Sequence, residues 1–348
     1  MRKLNRICSV LLAIAFCCTS ASPAASAAGG SAGFTAEALH PENQLNPNAS
    51  YLDLAVSPGQ RQELAVLIQN MEDAPITVLI ETVTASTNRN GDIHYTSPGL
   101  YDETMAFHFS DLAVPKDTEL EIPAKATVTA TICISIPEEP FPGILLGSIR
   151  VVRAPEMEEE EGEGTGIINQ YGYTIGVRLT EEPEKNDGMD PLFHLGNVYP
   201  GLVNHKAAIV AELRNASPVI ARDMAVSARI YPAKGGEPFI EKQQEDISMA
   251  PNSVFPLSLV DQAGYGFPKG DYVAAISLKY AGETQEFRRE FTIREEEALA
   301  INETAVNQLQ RQLNPVREDF PKWPYLIGAA FLLLLSMYII SRHQKRPE

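Results

Sequence analysis

Six histidines, at 40, 94, 108, 194, 205 and 343, are the side chains of this sequence best suited to metal ligation or proton transfer. They occur without H-x-x-H or H-E-x-x-H spacing and without a cysteine partner, so no pair is preset to grip one ion. His108 alternates with Phe107 and Phe109, which reads as a histidine at the rim of a strand. No G-x-S-x-G, S-x-x-K or Walker sequence supplies an activated nucleophile or a phosphate cradle. The glutamates at 158–161 are consecutive like charges with no turn-forming ligand loop, the pattern of a solvated segment and not of a Ca²⁺ site. Asn90-Gly91-Asp92 and Lys269-Gly270-Asp271 have the form of adhesive tripeptides, but each fits a hairpin turn better. No catalytic, cofactor-binding or metal-ligating residue is assigned. The chemistry that is missing points to binding.

Composition narrows the partner. The 348 residues carry 28 basic and 45 acidic side chains, a formal net charge of −17. The leader holds three of the positive charges (Arg2, Lys3, Arg6) and the last seven residues a net two more, so the stretch between them carries −22. Phosphate backbones are bound by cationic surfaces, which excludes nucleic acid as an expected partner. Residues 1–28 have a basic start, an apolar run from Ile7 to Phe16 and small residues ending in Ala25-Ser26-Ala27-Ala28, the three parts of a secretory signal. Cys8, Cys17 and Cys18 leave with it. Cys133 then stays alone, so each domain must be held by its own core and not by a disulfide.

A second apolar stretch, 323–341, approaches the roughly 20 residues a helix needs to cross a bilayer. Trp323 and Tyr325 would mark its outer interface, and Arg342, Lys345 and Arg346 in the tail at 342–348 follow the positive-inside rule. The expected topology is outside, one span, and a short basic cytoplasmic tail.

Between these ends the sequence reads as strands. Leu52/Leu54/Val56, Leu64/Val66/Ile68 and Ile76/Val78/Ile80 alternate with polar residues, and Pro/Gly/Asn turns separate them at 8–12-residue spacing. The fold class expected is all-β, with two tandem β-sandwich domains at 34–183 and 190–295. An internal repeat supports two related domains: Asn70 and Pro75 after Leu64–Ile68 are matched by Asn215 and Pro218, and LEIPAK at 120–125 by ISMAPN at 247–252. Tyr173, Ile175, Val177 and Leu179 form one face of a strand expected to pair with the segment from Ile144, giving a hairpin over 144–179 with the acidic run 156–166 as its loop. Tyr171 and Tyr173 on that hairpin are the candidate contact residues, with packing between sheets as the alternative for both. Residues 296–314 lack Gly and Pro until the Asn314-Pro315 stop and repeat Ala298, Ile301, Ala305, Leu309 and Leu313, an amphipathic helix expected as a juxtamembrane stalk.

The order and spacing of several motifs bring a family into view. YLDLAVSPGQ at 51–60, NGDIHY at 90–95 and PFPGILLGSI at 140–149 resemble the N-terminal domain of the WxL-interacting proteins of Gram-positive cell surfaces. LGNVYP at 195–200, MAPNS at 249–253, PKGDY at 268–272 and FRREFTI at 287–293 resemble their C-terminal domain. One departure is Gln285-Glu286-Phe287, where the family pattern leads one to expect a tryptophan before the last strand. The resemblance implies tandem Ig-like domains, the first binding peptidoglycan and the second host extracellular proteins, with secreted WxL-domain surface proteins as partners. It carries over no residue-level site and no cofactor. The function expected is a membrane-anchored adaptor. A membrane-tethered assembly chaperone for exported surface proteins is the first alternative and a cell-wall-processing enzyme the second.

Overall fold

The computed structural model describes residues 33–155, 171–186, 188–262 and 266–313. The expected leader at 1–28, the acidic loop at 156–166, the span at 323–341 with Trp323 and Tyr325, and the tail with Arg342, Lys345 and Arg346 lie outside the described residues. Among those described, no helix is long and apolar enough to cross a membrane. The chain divides into two compact units.

The first unit contains β1 (Phe34–Ala38), β2 (Leu52–Ala55), β3 (Arg61–Asn70) and β4 (Ile76–Thr84). Next along the chain comes a short ribbon, β5 (Ser86–Thr87) with β6 (Ile93–His94), whose residues Thr87–Ile93 belong to the second unit, and then a single helical turn of the first, α1 (Phe109–Leu112). The unit is completed by β7 (Ala113–Pro115), β8 (Glu119–Ile122), β9 (Thr127–Ser135), β10 (Leu145–Arg153) and β11 (Gly172–Thr180). These strands form two sheets, ordered β1-β3-β9-β7 and β2-β11-β10-β4-β8. Period-2 sequence becomes a two-sheet core directly. Leu64, Val66 and Ile68 of β3 and Ile132 and Ile134 of β9 meet Leu52, Ile80, Ile149, Val177 and Leu179 from the other sheet in one buried cluster. Cys133, on the opposite side of β9 from Ile132, is a half-buried free thiol.

Gly147 has a packing reason. A Cβ on it would lie 2.1 Å from Phe109 Cδ1 and 2.7 Å from the Val83 carbonyl. The bare backbone of β10 is therefore the seat for the fully buried ring of Phe109, which α1 presents to the core.

The second unit is not one contiguous stretch. It comprises Pro191 onward together with Thr87–Ile93 and Leu100–Asp102. Its strands are β12 (Phe193–Val203), β13 (Lys206–Asn215), β14 (Ala221–Pro232), β15 (Ile240–Met249), β16 (Ser253–Val260), β17 (Gly270–Tyr280) and β18 (Glu283–Ile293). They make a β12-β13-β16 sheet and a β15-β14-β17-β18 sheet around a second core built on Leu213, Ile230, Phe255, Leu257 and Ile276. The inserted segments are held by backbone and hydroxyl bonds. Ser248 N–H donates to Gly91 O at 2.7 Å, Val254 N–H to Leu100 O at 3.0 Å, and Asp102 N–H to Asn252 O at 2.8 Å. Thr87 Oγ1 accepts from Ala250 N–H at 3.0 Å and lies 2.6 Å from Ser253 Oγ. Gly91, at φ +77°, places its missing Cβ against Ile247, so a side chain there would be both strained and crowded.

Each unit carries the same asparagine clamp, which is the structural content of the sequence repeat. Asn70 ends β3 and is 0% exposed; its Nδ2 donates to Ala74 O at 2.8 Å and to Ile122 O and Pro123 O at 3.1 Å, while Oδ1 accepts from Glu72 N–H. Asn215 ends β13, is also 0% exposed, and repeats this with Val219 O at 2.8 Å, Ala250 O at 3.0 Å and Ser217 N–H. The two side chains close i to i+2 Asx turns and tie them to the chain after β8 and after β15.

The helix α3 (Glu295–Leu313) starts docked on the second unit. Ala298 is buried in its core, Ile301 packs against it, and Asn302 accepts from Phe267 N–H and donates to Phe267 O, both at 3.0 Å. A further short helix, α2 (Pro183–Asn186), follows β11.

Candidate recognition surfaces

The expected hairpin exists as an antiparallel pair running from Leu145↔Leu179 to Val152↔Gly172. What makes β11 notable is its other side. The neighbouring β2 pairs with it, parallel, only over Val177–Thr180. No described strand covers Gly172–Ile175 on that side; at Gly176 the parallel register turns Leu52 N–H onto the carbonyl. Val56 N–H donates to Thr180 O, and Arg153 N–H to Tyr171 O. Even-numbered residues of β11 therefore turn their backbone groups away from β10, and odd-numbered ones toward it. The outward groups of the uncovered stretch belong to Gly172 and Thr174.

The two tyrosines proposed from sequence take different positions. Tyr173 points inward and meets Phe34 edge-on, ring centroids 5.3 Å apart, beside the core. Tyr171, just beyond the strand, is 38% exposed. A tyrosine not singled out from sequence joins them: Tyr51, also 38% exposed, sits with its Cβ 3.5 Å from where a Gly176 Cβ would be. The signal that could have found it is its place immediately before β2, the strand that closes the far end of the open edge.

In the second unit an aromatic run reaches the surface. Phe291 stacks on Tyr272 at 5.7 Å, Tyr272 lies 6.0 Å from Phe239, and Phe239 meets Phe267 edge-on at 5.6 Å. Phe239 is exposed and, with Phe267, Ile240, Val260 and Asp261, lines a half-open cleft of about 290 Å³. Burial pushes the Tyr272 phenol above its ordinary range, and its hydroxyl donates to Pro268 O at 2.9 Å. Phe239, Ile240, Val260 and Phe267 give the recess an apolar wall suited to a side chain or ring, and Glu241, Asp261 and Gln262 give it a polar rim.

The charged clusters serve the fold. Arg214 bonds Glu212 at 2.9 Å and lies 3.5 Å from Asp102, joining the inserted segment to β13. The Glu212 hydrogen bond, ahead of the opposing effect of burial, holds the guanidinium pKa above its usual value. His94 closes a local turn through Ser97 Oγ and Thr96 Oγ1, each 3.0 Å from Nε2. Among the described residues no group of three or more His, Cys, Asp or Glu side chains is placed to hold a metal.

Among solved structures the chain is similar to the E. coli chaperone DraB, at 15% identity over 74% of this chain and 99% of that one, TM-score 0.27. It is also similar to the CsuC–CsuE chaperone–tip adhesion subunit complex of Acinetobacter baumannii, at 13% identity over 65% and 90% of the two chains, TM-score 0.29. The Pseudomonas aeruginosa CupB2 chaperone matches at 10% identity over 68% and 95%, TM-score 0.26. Scores this low carry no argument. No curated protein matches the chain. The family comparison is of another kind, because it follows the order of motifs along the sequence. Residues 34–153 match the peptidoglycan binding domain of the WxL Interacting Protein, and residues 162–303 match its host binding domain. Both domains are present, in that order, over most of the sequence: this chain belongs to the WxL-interacting protein family.

Proposed function

We propose that this protein is a non-enzymatic, membrane-anchored adaptor of the Gram-positive cell surface that associates with peptidoglycan and with WxL-domain surface proteins and contributes to host attachment. The observation that carries the reading is the pair of matched binding domains in series. Supporting it are two β-sandwich units with separate cores, suited to presenting sheet edges and loops. In this reading residues 1–28 are a leader removed on export, and 323–341 span the membrane once. The Ig-like units lie outside and the tail at 342–348 inside.

The test is co-sedimentation of the undivided chain, in mild detergent, with purified peptidoglycan sacculi. Cutting the chain near residue 183 would strip Thr87–Ile93 and Leu100–Asp102 from the second unit, so fragments are the wrong reagent. With a net charge of −17 the protein has no general attraction to anionic wall polymers, and retention should persist at moderate salt. Protein left in the supernatant at both low and moderate salt refutes wall binding. Release of soluble muropeptides from the sacculi would refute the non-enzymatic reading.

A further inference from the structure

We infer that the uncovered edge of β11 is a self-pairing site, where a second copy of this chain adds its own β11 antiparallel to the first. The sequence there is Gly172-Tyr173-Thr174-Ile175-Gly176, nearly symmetric about Thr174. An antiparallel pair centred there sets Thr174 opposite Thr174 and Tyr173 opposite Ile175. Threonine pairs and aromatic/β-branched pairs are among the favourable cross-strand partners.

Backbone direction agrees. Gly172 and Thr174 are the uncovered residues whose groups turn away from β10, so the two Thr174 residues exchange N–H···O bonds across the twofold. Tyr51 lies beside Gly176, where β2 begins, and closes the pairing at that end. The incoming chain ends its pairing where β2 begins, which brings Tyr171 of one copy to Tyr51 of the other. Both rings are exposed in the single chain.

The remaining edges explain why this one is singled out. β1 carries Glu37, β2 is bridged by Gln44 at Leu54, β7 ends in Pro115, and β8 carries Glu119 and Glu121. β12 contains Pro200 and an irregularity between Leu195 and Val198, β15 turns Lys242 inward toward Ala228, β16 contains Pro256, and β18 is lined with charge at positions such as Arg288. Each is a device that discourages strand addition. Gly172–Ile175 has none. The contact is small, well below the roughly 800 Å² per partner of a stable soluble dimer, so the dimer is weak in dilute solution and is best trapped covalently.

The experiment uses the full chain with Cys8, Cys17, Cys18 and Cys133 replaced by serine and Thr174→Cys added, oxidised and run without reductant. Thr174 residues paired on the twofold have Cα atoms about 5.5 Å apart, within disulfide reach. A thiol-reversible dimer is expected for Thr174→Cys and not for a control with Thr35→Cys on the edge strand β1. Equal yields, or no dimer from Thr174→Cys, overturn the inference. A second arm guards against a folding defect. Thr174→Lys and Thr174→Glu chains should each self-associate about fivefold more weakly than the parent, and their equimolar mixture should recover pairing. Lys and Glu chains that associate as well alone as when mixed also overturn it. The outcome is independent of wall binding, since sacculi retention and dimer trapping are read separately.

Discussion

Replacing Asn70 tests whether the repeated clamp holds each unit together. Its side chain, with no exposure, sets the two Nδ2 protons against three carbonyls, one proton shared, and accepts from Glu72 N–H. At about 1 kcal/mol net per buried hydrogen bond, three bond equivalents make Asn70→Ala cost the first unit about 3 kcal/mol. Asn215 makes three such bonds, so Asn215→Ala should cost the second unit about 3 kcal/mol. Asn70→Asp is more severe in neutral solution, because it turns a carboxylate oxygen toward carbonyls that had faced an amide donor. That aspartate would titrate above its unfolded value, so the folded state would fare best at low pH and lose stability as pH rises through the raised pKa. Hydrogen exchange read by mass spectrometry separates the units: peptides from β3 and β8 should lose protection in the Asn70 variants, and those from β13 and β16 in Asn215→Ala. A loss under about 1 kcal/mol for Asn70→Ala would refute the reasoning, since the orphaned carbonyls would then have found other partners at no cost.

Two other perturbations follow from contacts of the same kind. Gly147→Ala must push the Phe109 ring out of its seat on β10 and should destabilise the first unit by about 1–3 kcal/mol, measured by urea unfolding followed by far-UV circular dichroism. Glu72 is held below the usual carboxylate range first by its hydrogen bonds from Arg153, one of them 3.1 Å from Nη2 to Oε2. Its contribution is therefore present above the unfolded carboxylate pKa and is lost as pH falls through the lowered folded value. The chain carrying Glu72→Gln should lose less stability than the parent over that acid range, and identical acid profiles would contradict this.

Much of this architecture was legible because burial in a sheet follows a period of two. Leu64/Val66/Ile68 and Ile76/Val78/Ile80 alternate in sequence and line the core in the structure. The Asn70/Asn215 repeat was visible too, although its reason, a buried amide spanning a turn and a distant strand end, needed the third dimension. What could not be read is carried by groups that every residue has, or by a residue that has nothing. The segments at 87–93 and 100–102 join the second unit through main-chain bonds to Ser248 and Val254, which leave no hydrophobic pattern behind. Phe109 and Gly147 fit by the absence of a side chain, across a separation no periodicity reports.

The same distinction applies to recognition. Alternation already placed Tyr173 on the face shared with Ile175, Val177 and Leu179, and the structure shows what it meets there, the ring of Phe34. The open edge beside it was invisible because edge and interior strands share one sequence grammar: Gly172–Ile175 would read the same had β2 been five residues longer. Sheet order alone exposes those backbone groups. A protein that recognises partners through main-chain hydrogen bonds has no need of histidines, nucleophiles or clustered acids at the contact. The unguarded strand and the exposed rings of Tyr51 and Tyr171 are thus consistent features of one edge that offers backbone, tyrosine and shape.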